Sequence, residues 1–205
     1  MRASLPPNVR LVVVSKGRTA AEIEQALASG CLEFGESKMQ EAADKGWAKL
    51  KAGNPRLVLH IVGRLQRNKV KEAVALFDVI QSVDSVALAQ KISREASEQK
   101  RKISIFIQFR ISGKETQSGY TSEVELAQSI SEIRKLETIY APYFKLDGLM
   151  GIASRERPRE DFSRLRALAK SFSLPLLSMG MSEDYEIAVE EGSNMVRIGR
   201  AIFEG

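Results

Sequence analysis

The sequence predicts a single-domain (β/α)8 TIM barrel, and three observations predict it. Eight short apolar runs alternate with seven amphipathic stretches along the chain. Several runs are continuously apolar, such as Leu11-Val-Val-Val and Val58-Leu-His-Ile-Val, which marks strands covered on both faces. The 205 residues suit one sizeable core and leave little room for a second. Strict alternation implies right-handed crossovers. Eight units favour a closed barrel over an open doubly wound sheet.

The strands are expected at residues 10–16, 31–35, 57–63, 79–83, 103–111, 145–152, 176–179 and 194–203. Thr19 is placed to cap a helix over 20–29, which Gly30 closes. Ser37 is placed to cap one helix running to Leu50, with Gly53-Asn-Pro ending that unit. Further helices are expected over 67–77, 85–99, 122–138, 159–172 and 183–191. Segments 113–120 and 154–158 read as loops. The N-terminal segment is short, and no clear C-terminal helix follows the last strand. The seam between strands eight and one should therefore lack a cover. Apolar surface there should pair with another chain or be capped by residues 1–9, as a monomer or weak homodimer.

Cys31 and His60 are the only residues of their kinds. An intramolecular disulfide is impossible, and a Cys/His zinc site would lack ligands, so no metal is expected. A serine triad would have to use His60, and nothing around it resembles a nucleophile elbow. The dinucleotide fingerprint and the Walker A pattern are absent. No apolar run approaches the roughly 18 residues of a membrane span. The N-terminus has no apolar signal core, so a cytoplasmic protein with no membrane partner is expected. The net charge is +5, but basic and acidic residues interleave along the whole chain. Aromatics make up only 6%. That reads as a solvated surface plus a phosphate site, not a nucleic-acid footprint. The densest basic run, residues 63–71, is the one feature that favours nucleic acid.

Reactive groups of such barrels sit at the C-terminal ends of strands. Lys16 ends the most apolar run. Position alone leaves two readings for it: a rim lysine reaching solvent, or a partly desolvated amine suited to Schiff-base chemistry. Arg197 lies inside Met195-Val-Arg-Ile-Gly, a strand that should be buried on both faces. Something must accept its hydrogen bonds, either an acid on a neighbouring strand or a ligand at the mouth. Leu177-Ser-Met-Gly-Met-Ser182 runs from strand seven into a helix start, and Gly199-Arg200 follows strand eight. Both suit a phosphate, with Ser178 the better donor and Ser182 equally readable as a helix cap. His60 reads first as a core or rim histidine.

Taken together, these segments resemble the pyridoxal-phosphate homeostasis protein family, stand-alone relatives of the alanine racemase N-terminal barrel. The resemblance rests on Val14-Ser-Lys16, Phe34-Gly-Glu36, His60-Ile-Val-Gly63 with Leu65-Gln66, and Asn68-Lys-Val-Lys71. Ile111-Ser with Lys114-Glu115, Ser118-Gly119, Gly148-Leu-Met150, the 177–182 segment, Met195-Val-Arg-Ile-Gly199 and Ala201-Ile-Phe203 complete it, in order across nearly the whole chain. It implies that pyridoxal 5′-phosphate (PLP) is held covalently by Lys16. Arg197 would face the pyridine nitrogen, and Ser178, Gly199 and Arg200 would hold the phosphate. Ser37, His60, Met150, Met179 and Gly180 complete the expected cofactor-binding set. Three positions depart from the family pattern: Gly17 for a usual Thr, Ser37 for Asn and Arg200 for Thr or Ser. The usual leading helix is also missing, and the chain stops soon after Ile-Phe. The implied function is a PLP carrier or regulator without turnover, with apo PLP enzymes as expected recipients. A racemase or lyase of low activity is the alternative. Racemases need a second base from a tyrosine of another domain, which this reading does not find here.

Overall fold

Eight parallel strands close on themselves in sequence order, and the computed structural model describes residues 5–203 of this barrel. The strands are β1 (Arg10–Val14), β2 (Glu33–Glu36), β3 (Val58–Ile61), β4 (Val79–Val83), β5 (Ile103–Gln108), β6 (Phe144–Met150), β7 (Leu176–Ser178) and β8 (Met195–Ile198). The helices are α1 (Ala20–Ala28), α2 (Met39–Asp44), α3 (Trp47–Gly53), α4 (Val70–Leu76), α5 (Val86–Glu98), α6 (Glu123–Ile139), α7 (Pro158–Ser171), α8 (Tyr185–Glu190) and α9 (Arg200–Phe203). Closure comes from β1 pairing with β8, Arg10 opposite Met195 and Val12 opposite Arg197.

Local chemistry explains most boundaries. Thr19 caps α1 in a full capping box with Glu22. Ser85 and Ser122 cap α5 and α6 by accepting from Leu88 N and Glu125 N. Ser37 does not cap its helix: Lys38 holds that position without a side-chain bond. The expected single helix over 38–50 is also broken in two. Gly46 adopts φ +69°, and the chain restarts as α3. The break turns Trp47 inward, where its ring meets Phe34 at 5.2 Å and its Nε1 donates to Glu36 Oε1 at 2.8 Å.

Two apolar layers follow from strand parity. The outer layer, between strands and helices, includes Ile23, Phe34, Phe77, Ile105, Leu149 and Phe162. The inner cluster is small: Val12, Val79, Phe106, Met150 and Met195. Alternate inward positions on several strands are polar and buried, among them His60, Gln81, Gln108, Ser178 and Arg197.

Three expectations need correction. β1 stops at Val14, so Lys16 lies on a turn two residues beyond it. β8 stops at Ile198, and Arg200 begins the single turn α9 that follows it. The seam is not bare. Val13, Val196 and Ile198 are fully buried, and Ile202 and Phe203 of α9 pack onto the outer layer. The exposed large apolar side chains among the described residues are Val124, Ile139 and Met181, none of them on the seam strands. Residues 1–4, part of the expected cap, lie outside the described residues. No helix among the described residues is long and apolar enough to cross a membrane.

Candidate functional site

A cavity of about 560 Å³ opens at the C-terminal mouth of the barrel. Its wall combines the turns after β1 and β2 with the loop 181–184 and the start of α9. Lys16 enters it from the turn after β1. That turn is braced from below. Glu36, with no exposed surface, accepts from Ser15 Oγ at 2.8 Å, Lys45 Nζ at 3.0 Å and Trp47 Nε1. Lys45 Nζ also reaches Ser15 O. Glu41 accepts from Gly17 N and from Lys45 Nζ. Burial raises the Glu41 pKa, but the Lys45 and Gly17 hydrogen bonds and the Lys16 charge outweigh it and hold it below the usual value.

Arg197 comes up from β8 and is only 5% exposed. Its Nη1 donates to Ser178 Oγ at 2.7 Å and its Nη2 to Gly151 O at 3.0 Å. No carboxylate touches it directly among the described residues; burial lowers its pKa to about 10, with the Asp184 charge opposing. It remains a cation at neutral pH. Asp184, also on the wall, is pushed up by burial, while Met181 N–H and Arg197 counteract.

Beneath Arg197 lies a run of polar side chains. Ser178 Oγ donates to Gln81 Oε1 at 2.6 Å. Gln81 Nε2 lies 2.8 Å from His60 Nδ1. His60 Nε2 lies 3.3 Å from Glu33 Oε2, a long contact outside strict hydrogen-bond alignment. Glu33 in turn accepts from Arg10 Nε at 2.9 Å. Burial depresses the His60 pKa, although Glu33 opposes this, so the ring is neutral.

Of the expected site residues, Lys16, Ser37, Arg197, Gly199 and Arg200 line the cavity. Five others do not. Ser178 and His60 point into the barrel below the mouth, and Ser178's hydroxyl is committed to Arg197 and Gln81, so it has no hydrogen left for a phosphate. Met150 belongs to the inner cluster, and Met179 faces the outer layer. Gly180 is enclosed at φ +95°, where a Cβ would come within 2.6 Å of Ala188 Cβ. Arg200 lines the wall but turns its guanidinium to Glu183, 2.6 Å away. Besides Ser37, Ser182 lines the cavity, and it is not a helix cap; Asp184 holds the N-cap position of α8. Arg18 and Arg155 also line it and were missed, as were Gln81 and Glu33 below; Lys114, given above only as part of the resemblance, lines it too. Gln81 was findable: a long polar side chain in Val79-Ile-Gln-Ser-Val, a strand expected to be buried on both faces, is an anomaly of the same kind as Arg197. The basic run 63–71 stays at the surface, with Arg64 77% exposed at its side chain.

The family profile described as alanine racemase, N-terminal domain, matches residues 1–205. A pyridoxal phosphate homeostasis protein from Synechocystis sp. is 37% identical, with 98% of this chain and 93% of that one covered. One from Pseudomonas aeruginosa is 34% identical, covering 97% and 85%. This chain belongs to that family. Among solved structures, PipY of Synechococcus elongatus without PLP superposes with a TM-score of 0.90 at 35% identity, covering 98% of this chain and 95% of PipY. PipY with PLP bound gives 0.85. The family likeness spans the whole barrel, so the turn that carries Lys16 and the strand that carries Arg197 fall within it.

Proposed function

We propose that this chain binds PLP at the barrel mouth, bonded through Lys16, and stores and releases it without turning over a substrate. The observation that carries this is one cavity holding both an accessible lysine and a buried, charged arginine. Names of relatives and the PLP-bound form of PipY support it.

The donor set suits the cofactor. PLP supplies an aldehyde that bonds reversibly to amines. Lys16 offers the amine, held in place by the braced turn. Arg197, protonated at neutral pH, donates toward the ring nitrogen and leaves that nitrogen without a proton. Ser182 and the Gly199-Arg200 segment take the phosphate, and Ser37 sits on the opposite wall. Ser178 supports Arg197 directly from below, and His60 does so through Gln81. Release follows from exposure: Lys16 is solvent-facing, so an incoming amine reaches the bond. Apo enzymes that use PLP are the recipients we propose, in the cytoplasm. A racemase or lyase has less support, because none of the four tyrosines lines the cavity.

Absorbance titration of the purified chain with PLP tests this. A visible band is expected in the wild type and its loss in Lys16→Ala. A band that survives Lys16→Ala overturns the site. Robust turnover of amino acids by the loaded protein overturns the carrier reading.

A further inference from the structure

The polar run inside the barrel has a fixed direction. A guanidinium carries only donors, so Ser178 Oγ accepts from Arg197 Nη1. The hydroxyl hydrogen then goes to Gln81 Oε1. That fixes the Gln81 amide, with its nitrogen donating to His60 Nδ1. Nδ1 accepts, so the one proton of the neutral ring sits on Nε2, on the side of Glu33 Oε2 3.3 Å away but not aligned for a hydrogen bond. Glu33 is a carboxylate, an acceptor only, and Arg10 anchors it at the floor. The hydrogens of the three bonds from Arg197 to His60 therefore point from mouth to floor, and the guanidinium end cannot reverse its role. His60, Gln81 and Ser178 have no exposed surface, so water does not compete for these bonds. The links come from four strands, β3, β4, β7 and β8, and join residues as far apart as Ser178 and Gln81, 97 positions away in sequence.

We propose that Gln81 and His60 are positioning residues for Arg197. They keep the Ser178 hydroxyl turned as an acceptor toward the guanidinium. Through that hydroxyl they hold the guanidinium in one orientation against the ligand ring. This rests on the reading that a pyridoxal ring lies against Arg197. Nothing in the sequence patterns of the mouth assigns Gln81 or Glu33 any role in the site.

His60 is the only histidine, so its ring nitrogens give one pair of signals in a nitrogen-15 spectrum of the full chain. The Nε2–H tautomer is expected. Gln81→Met and Ser178→Ala should mix or invert the tautomers, weaken PLP binding about tenfold and change the ratio of the absorbance bands of bound PLP. Ser178→Thr, which keeps the hydroxyl, should restore both. Thermal melting checks that each variant folds. If Gln81→Met does not fold, Gln81→Glu has the same shape, loses the donor to Nδ1 and should give the same tautomer change. An Nδ1–H tautomer in the wild type overturns the proposal. So do band ratio and affinity within twofold of wild type in folded Gln81→Met or Gln81→Glu, while the wild-type band lost in Lys16→Ala leaves the site reading standing. A wild type without any band overturns both.

Discussion

The two ends of the barrel treat their charges in opposite ways. At the floor, Arg10 and Glu33 neutralise each other at 2.8 Å with side chains 38% and 21% exposed. At the mouth, Arg197 is nearly buried and meets only a hydroxyl and a carbonyl. A buried cation without a directly paired anion is costly for folding alone. The floor pair is explained by stability; the mouth arginine makes sense as a group awaiting an electron-rich partner. The backbone shows the same contrast. Gly180, near the mouth, is enclosed, whereas a Cβ on Gly53, in the connection leading to the floor of β3, meets nothing within 4 Å.

The largest expected effect sharpens that backbone contrast. Gly180→Ala should cost about 3 kcal/mol, because it combines a strained φ with overpacking against Ala188. Gly53→Ala should be neutral or stabilising by at most about 1 kcal/mol. Chemical denaturation measures both, and equal costs would erase the difference. Next, Arg197→Met should weaken PLP binding by about tenfold or more, since hydrogen bonds from a charged donor are lost. Its melting temperature should stay level or rise, because a buried cation disappears. A large drop in stability would make Arg197 structural, like Arg10.

A smaller effect is the acid sensitivity of the floor. The His60 pKa is lowered from 6.5 by burial, so the unfolded chain takes up a proton that the folded chain refuses. That contribution is present above pH 6.5 and is lost as pH falls below it toward the folded value. The Glu33 pKa is also lowered from 4.5, where burial is outweighed by the His60 and Arg10 contacts. Its contribution holds above pH 4.5 and fades as pH falls through its lower folded value. Melting curves from pH 8 down to 4, compared between wild type and His60→Gln, isolate the first window. An unchanged slope between pH 6.5 and 5 would mean the ring is not buried neutral. The smallest effect is at the surface. Arg157→Ala, which loses a 3.5 Å contact to Glu160 with both side chains about 70% exposed, should change stability by less than about 0.5 kcal/mol.

The barrel was legible because period and continuity of apolar runs survive small errors in strand ends. Arg197 was legible for the same reason, as a charge where hydrocarbon belongs. Ser178 and Ser182 were not separable: four residues apart, one ends a strand pointing inward and the other lies on a loop facing the cavity. The Gln81 link was invisible because its partners come from β3 and β7, brought together only by closure of the barrel. Ser37 failed as a cap because the chain enters that helix one residue later, with extended Lys38 in the N-cap position.

The break at Gly46 has an optical consequence. Trp47 is the only tryptophan, and its indole N–H shares Glu36 with Ser15, the residue beside Lys16. The chain thus carries a single tryptophan, linked through Glu36 and Ser15 to the candidate reactive amine. A chromophore loaded at that amine would quench its emission, and release would restore it. Occupancy could then be followed in real time on the unlabelled protein.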